Sequence, residues 1–381
     1  MNAPPRIFAS LEARAALRAR ASLAARVVLL ACAALPACMV LSVLRPSVLS
    51  AQAACESLIA FGSDRSEGPG IYVLSPEGGD ARLLVLMPGA LGIEWSPDGG
   101  RIAFLSVTKE DEELFAPYAD LRFHAFLYVV NADGTDLRRV SDMPASMGFS
   151  WSPDGTRIAF ASSLESGGGN SAIYVVEVDG GGQRRLTDLE GVHAFPSWSS
   201  DGRLIAFGSK RGDDTALQVM SPDGAGLRPV VEVSGSRAWS LPRPVWSPGG
   251  TMLAFAEGRG TYIVSANGGD PRRVDTGAGE PRAWLPDRRR LLMAESSGSG
   301  GRVFLVDVDA IEDRTLAADA GAGGESSASP LWDHVAYTAI VGGQADVYLV
   351  SIDGGPSRNL TRHEANDYLP AWSPCTSEEE S

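Results

Sequence analysis

The sequence predicts an all-β protein, a seven-bladed β-propeller built of four-stranded antiparallel blades. One observation is a motif of the form Trp-Ser-Pro-Asp-Gly, which recurs along the 381-residue chain at spacings of 38 to 56 residues. That spacing is the length of one propeller blade. The second observation is that short β-branched and aromatic runs follow each copy, separated by turn dipeptides and without a long helical periodicity. The 43 glycines and 24 prolines fit a chain with this many turns.

The motif accounts for the first hairpin of each blade. It is complete at Trp95 and Trp151. Degenerate copies begin at Trp198, Trp246, Trp284, Trp332 and Trp372. Ser-Pro-Asp-Gly suits a type I turn, because Pro fixes φ, Asp bonds to the local backbone and Gly accepts a positive φ. We expect this turn to join the first two strands, and the tryptophan side chain to pack between adjacent blades.

Three further segments complete each repeat. The second strand has the form Ile-Ala-Phe, as at residues 102–104 and 158–160. A third apolar strand follows, as at residues 127–130 and 173–176, and then an Asp-Gly or Asn-Gly turn and a basic strand. Asp-Gly and Asn-Gly dipeptides between apolar runs are strong hairpin signals. Each repeat therefore predicts one four-stranded blade.

The two ends of the repeat region each carry half of a repeat. No Trp-Ser-Pro precedes the first Ile-Ala-Phe strand at residues 59–61, and no Ile-Ala-Phe strand follows the last Trp-Ser-Pro at residues 372–374. We therefore predict a composite blade, in which residues 370–373 form the innermost strand and pair with the N-terminal strand. This arrangement leaves no open sheet edge between the chain ends. It also brings the number of blades to seven.

Two of the four cysteines map onto the composite blade. Cys375 occupies the Asp position of its motif. Cys55 lies four residues before Ile59, which is the distance of that Asp from the Ile-Ala-Phe strand in the complete copies. We predict a Cys55–Cys375 disulfide in place of the interrupted turn, with two unrelated thiols as the alternative. An oxidising compartment permits it, and closing so long a loop contributes roughly 4–5 kcal/mol in the chain-entropy model.

The first 53 residues have the pattern of an export segment, and residues 54–381 are predicted to form one propeller domain. An apolar run at residues 27–44 follows Arg14, Arg18, Arg20 and Arg26, and Ala-Gln-Ala at residues 51–53 resembles a cleavage site. The run is also long enough to span a bilayer, and Cys38 follows a sequence resembling a lipidation motif. Cleavage, an uncleaved anchor and lipidation therefore all stay open. Each places the propeller outside the cytoplasm, in the periplasm, and confines membrane contact to this segment.

Charge and missing motifs exclude several kinds of function. The net charge of −14 repels phosphate backbones, so we expect no nucleic-acid partner. The sequence has no Gly-x-Ser-x-Gly nucleophile elbow, and its four histidines include no His-x-x-x-His pair. We therefore expect no catalytic residues, no metal and no cofactor. A hydrolase or lyase whose site is assembled from scattered loop residues remains the enzymatic alternative.

The repeats resemble those of TolB-type, WD40-like β-propellers of the bacterial envelope. The stretch WSPDGTRIAF at residues 151–160 carries the resemblance most closely, and the similarity covers about residues 56–374. It implies a protein that binds a partner in the cell envelope. The family's namesake has an α/β domain before a propeller of six blades, whereas here an export segment precedes Ile59 and seven blades are predicted. Membership of a Tol–Pal system therefore stays open. Similar repeats also occur in the propellers of prolyl-oligopeptidase-like peptidases.

Two groups of residues are predicted to bind the partner. In a propeller, the loops between second and third strands share a face with the connections between blades. An insertion at residues 108–126 lies on that face and carries the candidate aromatic anchors Phe115, Tyr118 and Phe123. The residues that precede the motifs should surround the channel mouth, and they are Phe149, His193, Phe195, Trp239, Arg243, Arg282 and Tyr368. The two arginines suit a carboxylate-bearing ligand, with local pairing to Glu280 or Asp367 as the alternative.

These patterns together predict an exported, non-catalytic and monomeric propeller that binds an envelope protein or peptide. A carbohydrate- or cell-wall-binding propeller is the alternative, in which the exposed aromatic residues would serve as stacking platforms. The fold by itself does not choose between these functions, because propellers host many of them.

Overall fold

A computed structural model of the chain describes residues 57–375, apart from positions 67, 109–124, 147, 164–169, 189, 234–240, 276, 278, 298–299 and 321–324. The predicted export segment, residues 1–53, lies outside the described residues. The described part contains 28 strands in seven four-stranded antiparallel sheets. The predicted seven-bladed, all-β propeller is therefore confirmed. No helix in this part of the chain is long and apolar enough to cross a membrane.

The blades are numbered along the chain, and the strands of each blade are given from the innermost to the outermost. Blade 1 consists of β28 (Asp367–Trp372), β1 (Ile59–Ser63), β2 (Gly70–Leu74) and β3 (Arg82–Leu86). Blade 2 consists of β4 (Leu91–Trp95), β5 (Arg101–Ser106), β6 (Phe126–Asn131) and β7 (Arg138–Arg139). Blade 3 consists of β8 (Phe149–Trp151), β9 (Arg157–Ser162), β10 (Ala172–Glu177) and β11 (Arg184–Arg185). Blade 4 consists of β12 (Val192–Trp198), β13 (Ile205–Arg211), β14 (Asp214–Met220) and β15 (Arg228–Val233).

The remaining three blades repeat the pattern. Blade 5 consists of β16 (Val245–Trp246), β17 (Met252–Glu257), β18 (Gly260–Ser265) and β19 (Arg272–Asp275). Blade 6 consists of β20 (Glu280–Trp284), β21 (Arg290–Ser297), β22 (Gly300–Asp307) and β23 (Glu312–Ala320). Blade 7 consists of β24 (Ser326–Ala328), β25 (His334–Val341), β26 (Gln344–Ser351) and β27 (Arg358–Asn359). Innermost strands of neighbouring blades contact each other, as β28 contacts both β24 and β4, and they line the central channel.

The core lies between the blades and is built mainly from the second strands. The aromatic residue that ends the Ile-Ala-Phe pattern is fully buried in several blades, as at Phe61, Phe104, Phe160, Phe207, Phe255 and Tyr337. Side chains alternate between the two faces of a strand, and in a propeller both faces meet a neighbouring blade. This is why these strands are apolar throughout rather than alternating with polar residues.

The Ser-Pro turn is held by the side chain of its serine. In blade 2, Ser96 Oγ accepts a hydrogen bond from the Arg101 N–H at 2.9 Å and donates to Asp98. The equivalent Ser152 of blade 3 is likewise buried and accepts from the Arg157 N–H at 3.0 Å. The turn also needs a positive φ, which is 69° at Gly99. In blades 2 and 3 the motif is therefore a self-contained turn that forms from local residues.

The motif tryptophans join neighbouring blades, as predicted. Four indole N–H groups donate to backbone carbonyls on the innermost strand of the preceding blade, namely Trp95 to Ala371 at 3.0 Å, Trp151 to Glu94 at 3.4 Å, Trp246 to Ser197 at 2.9 Å and Trp284 to Val245 at 3.1 Å. Each such residue combines apolar burial with one satisfied polar group.

The prediction that a motif copy begins at Trp332 is wrong. In blade 7 it is Ala328 that pairs with Val335, as the motif tryptophan of blade 2 pairs with the first residue of its Ile-Ala-Phe strand. The turn that follows begins at Ser329, whose N–H donates to the His334 carbonyl at 2.9 Å. Trp332 therefore occupies the turn position that glycine takes in other blades, and its φ is 58°. The Trp-Asp dipeptide resembles the start of a motif copy, but the turn is formed by Ser329-Pro330.

Six outer-strand arginines form a second set of links around the ring. Each donates to a backbone carbonyl in the turn that precedes the outer strand of the next blade. The donors and acceptors are Arg138 to Val178, Arg184 to Asp223, Arg228 to Ala266, Arg272 to Val308, Arg314 to Ile352 and Arg358 to Glu77. The basic strands noted in the sequence thus connect blades through charge-assisted hydrogen bonds.

The composite blade forms as predicted. The innermost strand β28 pairs antiparallel with β1, with Trp372 opposite Ile59. The Ser373 N–H donates to the Leu58 carbonyl at 2.8 Å, which continues the pairing beyond the strand ends. Cys375 is disulfide-bonded. Cys55 lies outside the described residues, so the Cys55–Cys375 pairing stays a prediction.

Candidate functional site

The predicted site residues fall into three groups in the structure. Phe115, Tyr118, Phe123 and Trp239 lie outside the described residues, and their role stays a prediction. Phe149 and His193 are buried in the blades. The rest, Phe195, Arg243, Arg282 and Tyr368, lie at or just before the innermost strands of blades 4, 5, 6 and 1.

Phe149 and His193 are packing residues in this structure. Phe149 belongs to the core between blades 2 and 3, and its ring lies against Gly92. His193 meets the ring of Phe207 edge-on, with ring centroids 5.6 Å apart, and its Nε2 lies 3.5 Å from Asp188 Oδ1. Burial lowers the pKa of His193, although Asp188 opposes this shift. The lowered pKa favours the neutral imidazole. Neither side chain is presented to a partner at the channel mouth.

The most exposed part of the site is a stacked arginine. The guanidinium carbon of Arg243 lies 4.1 Å from the centroid of the Phe195 ring, a distance suited to a cation–π contact. Phe195 adopts a φ of 54°, and the innermost strand of blade 4 is bulged at this point. The Arg243 side chain is 53% exposed and lies 3.9 Å from the Glu280 carboxylate. Stacking thus holds a partly solvated cation in place.

A second arginine lies deeper in the same place. Arg282 Nη2 is 3.5 Å from Glu280 Oε2, and its side chain is 24% exposed. Its Nε is buried and has no hydrogen-bond partner among the described residues. Burial lowers the pKa of Arg282, and the negative charge of Glu280 opposes that shift. Arg243 and Arg282 therefore both lie beside Glu280, which is the local pairing that the sequence allowed. This pairing leaves N–H donors of both guanidinium groups unused.

Two further residues complete this arrangement. Burial raises the pKa of Glu325, while the charge of Arg282 lowers it. Burial also raises the pKa of Tyr368, as do the charges of Asp64, Asp367 and Glu325. The Tyr368 ring packs against Gly62, where a Cβ would lie 2.7 Å from the ring. We call Phe195, Arg243, Glu280, Arg282, Glu325 and Tyr368 the mouth cluster.

The mouth cluster brings together residues from five blades that lie far apart in the sequence. Sequence reasoning identified four of its members and named Glu280 as a pairing partner, but it missed Glu325. Glu325 stands three residues before Ala328, the position that Phe195 takes before Trp198. The misplaced motif at Trp332 concealed this equivalence. Glu325 is found when blade 7 is aligned with the other blades by its strand pairing instead of by its tryptophan.

Chemically, the mouth cluster suits a ligand with a carboxylate and an aromatic or planar group. Two guanidinium groups supply forked donors that match a carboxylate. Glu280 lies near both, and burial shifts Glu325 toward its neutral form. No group of three or more His, Cys, Asp or Glu side chains in the described chain is placed to hold a metal ion.

Several known proteins are similar to this chain in sequence. Residues 94–260 match the sequence model of the TolB β-propeller domain. The chain is 27% identical over 238 residues to the Tol-Pal system protein TolB of Francisella tularensis subsp. holarctica, a match that covers 59% of this chain and 53% of that protein. The chain thus spans about half the length of this curated relative.

Solved structures share the fold. TolB from Acinetobacter baumannii superposes with a TM-score of 0.54 at 18% sequence identity, covering 84% of this chain and 83% of that one. Oligogalacturonate lyase from Vibrio parahaemolyticus superposes with a TM-score of 0.57 at 12% identity, covering 77% of this chain and 85% of that one. A TolB protein and a lyase therefore share this architecture, and the likeness itself shows only the fold.

Proposed function

We propose that this chain, whose residues 94–260 match the TolB β-propeller domain, is an exported, non-catalytic binding protein that docks a protein or peptide partner at the mouth cluster. The observation that carries the proposal is the pair of arginines with unused donors beside a stacked aromatic ring at one end of the central channel. Arginine and aromatic residues are the types that dominate protein-binding hot spots.

The chemistry of the mouth cluster favours a partner segment with a carboxylate. Arg243 is pre-positioned by its stack on Phe195, so less side-chain entropy is lost when a ligand binds. Arg282 is less exposed and has a free Nε–H, which gains a partner only when a ligand enters. An Asp or Glu side chain, or a C-terminal carboxylate, would satisfy both groups. The partner we infer is therefore an acidic envelope protein or peptide.

Export and location in the envelope are supported by independent features. The pattern of residues 1–53 is that of an export signal or anchor. A disulfide at Cys375 fits an oxidising compartment. The TolB relative is named as part of the Tol-Pal system, and we propose that this chain likewise works with envelope proteins.

The test is capture of the partner by charge-matched variants. Mature propeller would be immobilised and exposed to envelope extract, and captured proteins would be identified by mass spectrometry. We expect R243E to lose a protein that wild type retains. The matched control is R203E, which makes the same charge change on a side chain that is 84% exposed and follows a Ser-Pro-type turn at the other end of its blade. Equal capture by R243E, R203E and wild type would contradict the proposal.

A carbohydrate-directed function is the second candidate. It is favoured by the two arginines, which equally suit the carboxylates of uronate sugars. The two candidates separate in one experiment with oligogalacturonate. Binding that R243E abolishes would indicate a carbohydrate site, and formation of an unsaturated sugar product would indicate a lyase. We expect neither with this chain.

A further inference from the structure

A cavity lies at the end of the central channel opposite the mouth cluster, where the Ser-Pro turns are. It has a volume of about 480 Å³. Its walls come from the innermost strands of blades 1, 2 and 7 and from the turns that follow them, through residues such as Glu94, Ser327, Pro330 and Pro374. A volume of this size is within the range of small-ligand pockets. We call it the motif-side cavity.

Glu94 is the only charged residue among the described residues that line this cavity. It stands directly before Trp95 on β4, and its exposure is intermediate. The described residues offer its carboxylate no ion pair, and burial alone raises its pKa to about 8. The equivalent residue in blade 3 is Ser150, and in blade 1 it is Ala371. The acid is therefore specific to blade 2 and is not part of the repeated turn.

The rest of the cavity wall is uncharged and combines aromatic and apolar side chains with five serines. Trp95, Trp332 and Trp372 all contribute to it. Trp332 lines the cavity because it occupies a turn position that other blades give to glycine, at a φ of 58°. A residue in the left-handed region costs on the order of 1 kcal/mol. Indole side chains attract cations more strongly than other aromatic groups do.

We propose that the motif-side cavity binds a primary ammonium group, such as that of a lysyl side chain, through the carboxylate of Glu94. One carboxylate balances one positive charge, whereas no group of three or more His, Cys, Asp or Glu side chains among the described residues is placed to hold calcium or magnesium. The indole rings would lie around the methylene stem and the charged end of such a ligand. The site is separate from the mouth cluster and does not depend on the function proposed there.

The proposal requires a specific dependence on pH. An ammonium ion binds the ionised form of Glu94, which is the minor form below the carboxyl's pKa of about 8. Affinity should therefore rise about tenfold per pH unit up to that pKa and then level off. Binding at neutral pH should release a proton. A ligand held only by apolar contacts would show neither effect.

The test uses calorimetry on the mature chain, with N-acetyl-lysine methylamide as the probe and N-acetyl-norleucine methylamide as the uncharged control. We expect binding of the lysine probe alone, with affinity increasing from pH 6 to pH 8. Glu94→Gln should weaken binding by about tenfold or more and remove its pH dependence. Glu190→Gln makes the same change on an exposed acid that does not line this cavity, and it should leave binding unchanged.

Two outcomes would overturn the proposal. One is equal affinity for the lysine and norleucine probes, and the other is a pH profile that Glu94→Gln retains. A thermal melt of Glu94→Gln checks folding, and Trp332→Leu provides a second variant that should weaken binding without touching the acid. A pentapeptide with one central lysine distinguishes the sources of the ammonium group. Tighter binding of the peptide indicates a lysine of a partner chain, and equal binding indicates a free amine.

Discussion

Blade 1 and blade 3 contain the same turn interaction, but only blade 3 is made from one continuous segment. In blade 3 the Arg157 N–H donates to Ser152 Oγ at 3.0 Å, five residues away. In blade 1 the Leu58 N–H donates to Ser373 Oγ at 2.8 Å, 315 residues away. In both blades the serine hydroxyl accepts from the backbone N–H of the residue that precedes the isoleucine of the second strand. The difference lies in the unfolded chain, where bringing the ends of blade 1 together costs more loop-closure entropy.

Blade 1 has additional long-range contacts beside its innermost strand. Arg65 Nη2 lies 2.9 Å from Asp367 Oδ2, and Asp367 is fully buried. The Arg65 guanidinium also lies 4.8 Å from the Tyr72 ring centroid. Next to this pair, the Asn366 side-chain amide donates to Asp64 Oδ2 at 2.9 Å. A blade closed by both chain ends thus uses ionic and polar contacts where a continuous blade uses its own chain connection.

The largest expected effect tests the predicted covalent closure. Replacing both Cys55 and Cys375 by Ser should lower the free energy of unfolding by up to about 5 kcal/mol, because the unfolded chain gains the entropy of an open loop. Urea denaturation of the two proteins measures the difference. Wild type in reductant should match the variant, and the variant should not respond to reductant. A wild type that reductant leaves unchanged would show that this pairing does not stabilise the closure.

The next effect concerns the buried ion pair of blade 1. Asp367→Ala should cost about 3–5 kcal/mol, because it leaves Arg65 buried without its counter-charge. Glu190→Ala is the matched control, since it removes an exposed partner of Arg211 and should cost at most about 1 kcal/mol. The double variant R65M/D367L should recover most of the loss. Equal costs for the two single variants, measured in urea, would mean that the ion pair does not hold the blade closed.

The fold was predictable because its information is local and repeated. Each Ser-Pro turn and each buried Ile-Ala-Phe strand is specified within about ten residues, and the two half-repeats at the chain ends fit together. Trp332 shows the limit of this approach. A tryptophan in the right sequence interval was assigned to the strand, although Ser329-Pro330 places it in the turn. Turn hydrogen bonding, rather than the most conspicuous residue, sets the register.

The site was less predictable, because its properties come from the relation between blades. Phe149 and Phe195 both precede a motif tryptophan, yet Phe149 enters the core and Phe195 supports Arg243. Phe149 lies two residues before the tryptophan of its blade, whereas Phe195 lies three residues before, beside a bulge in β12. A periodic sequence pattern does not reveal such a shift of one residue. Glu94 was missed for a similar reason. It is unusual only because the blades enclose it in a cavity that holds no other charge among its described residues.

A smaller effect compares the two versions of the turn directly. Ser152→Ala and Ser373→Ala each remove the acceptor of a buried or partly buried backbone N–H, so each should cost about 1–2 kcal/mol. Because Ser152 Oγ also donates to Asp154 Oδ1 at 2.5 Å, we expect Ser152→Ala to cost at least as much as Ser373→Ala in urea denaturation. A much larger cost for Ser373→Ala would show that the interrupted turn depends on this serine more than the continuous turn does.

The smallest effect sharpens the comparison at the turn position that requires a positive φ. In blade 6 this position is Arg288, which is exposed and has a φ of 59°, whereas blade 3 has Gly155 with a φ of 66°. Arg288→Gly should stabilise the protein by up to about 1 kcal/mol, because relief of the left-handed strain outweighs the added freedom of glycine in the unfolded chain. Gly155→Arg is the reciprocal change and should destabilise by a similar amount. If both variants unfold at the wild-type urea concentration, the glycine of the motif is not needed for its φ. The continuous turns would then be stabilised by their serine and their chain connection alone.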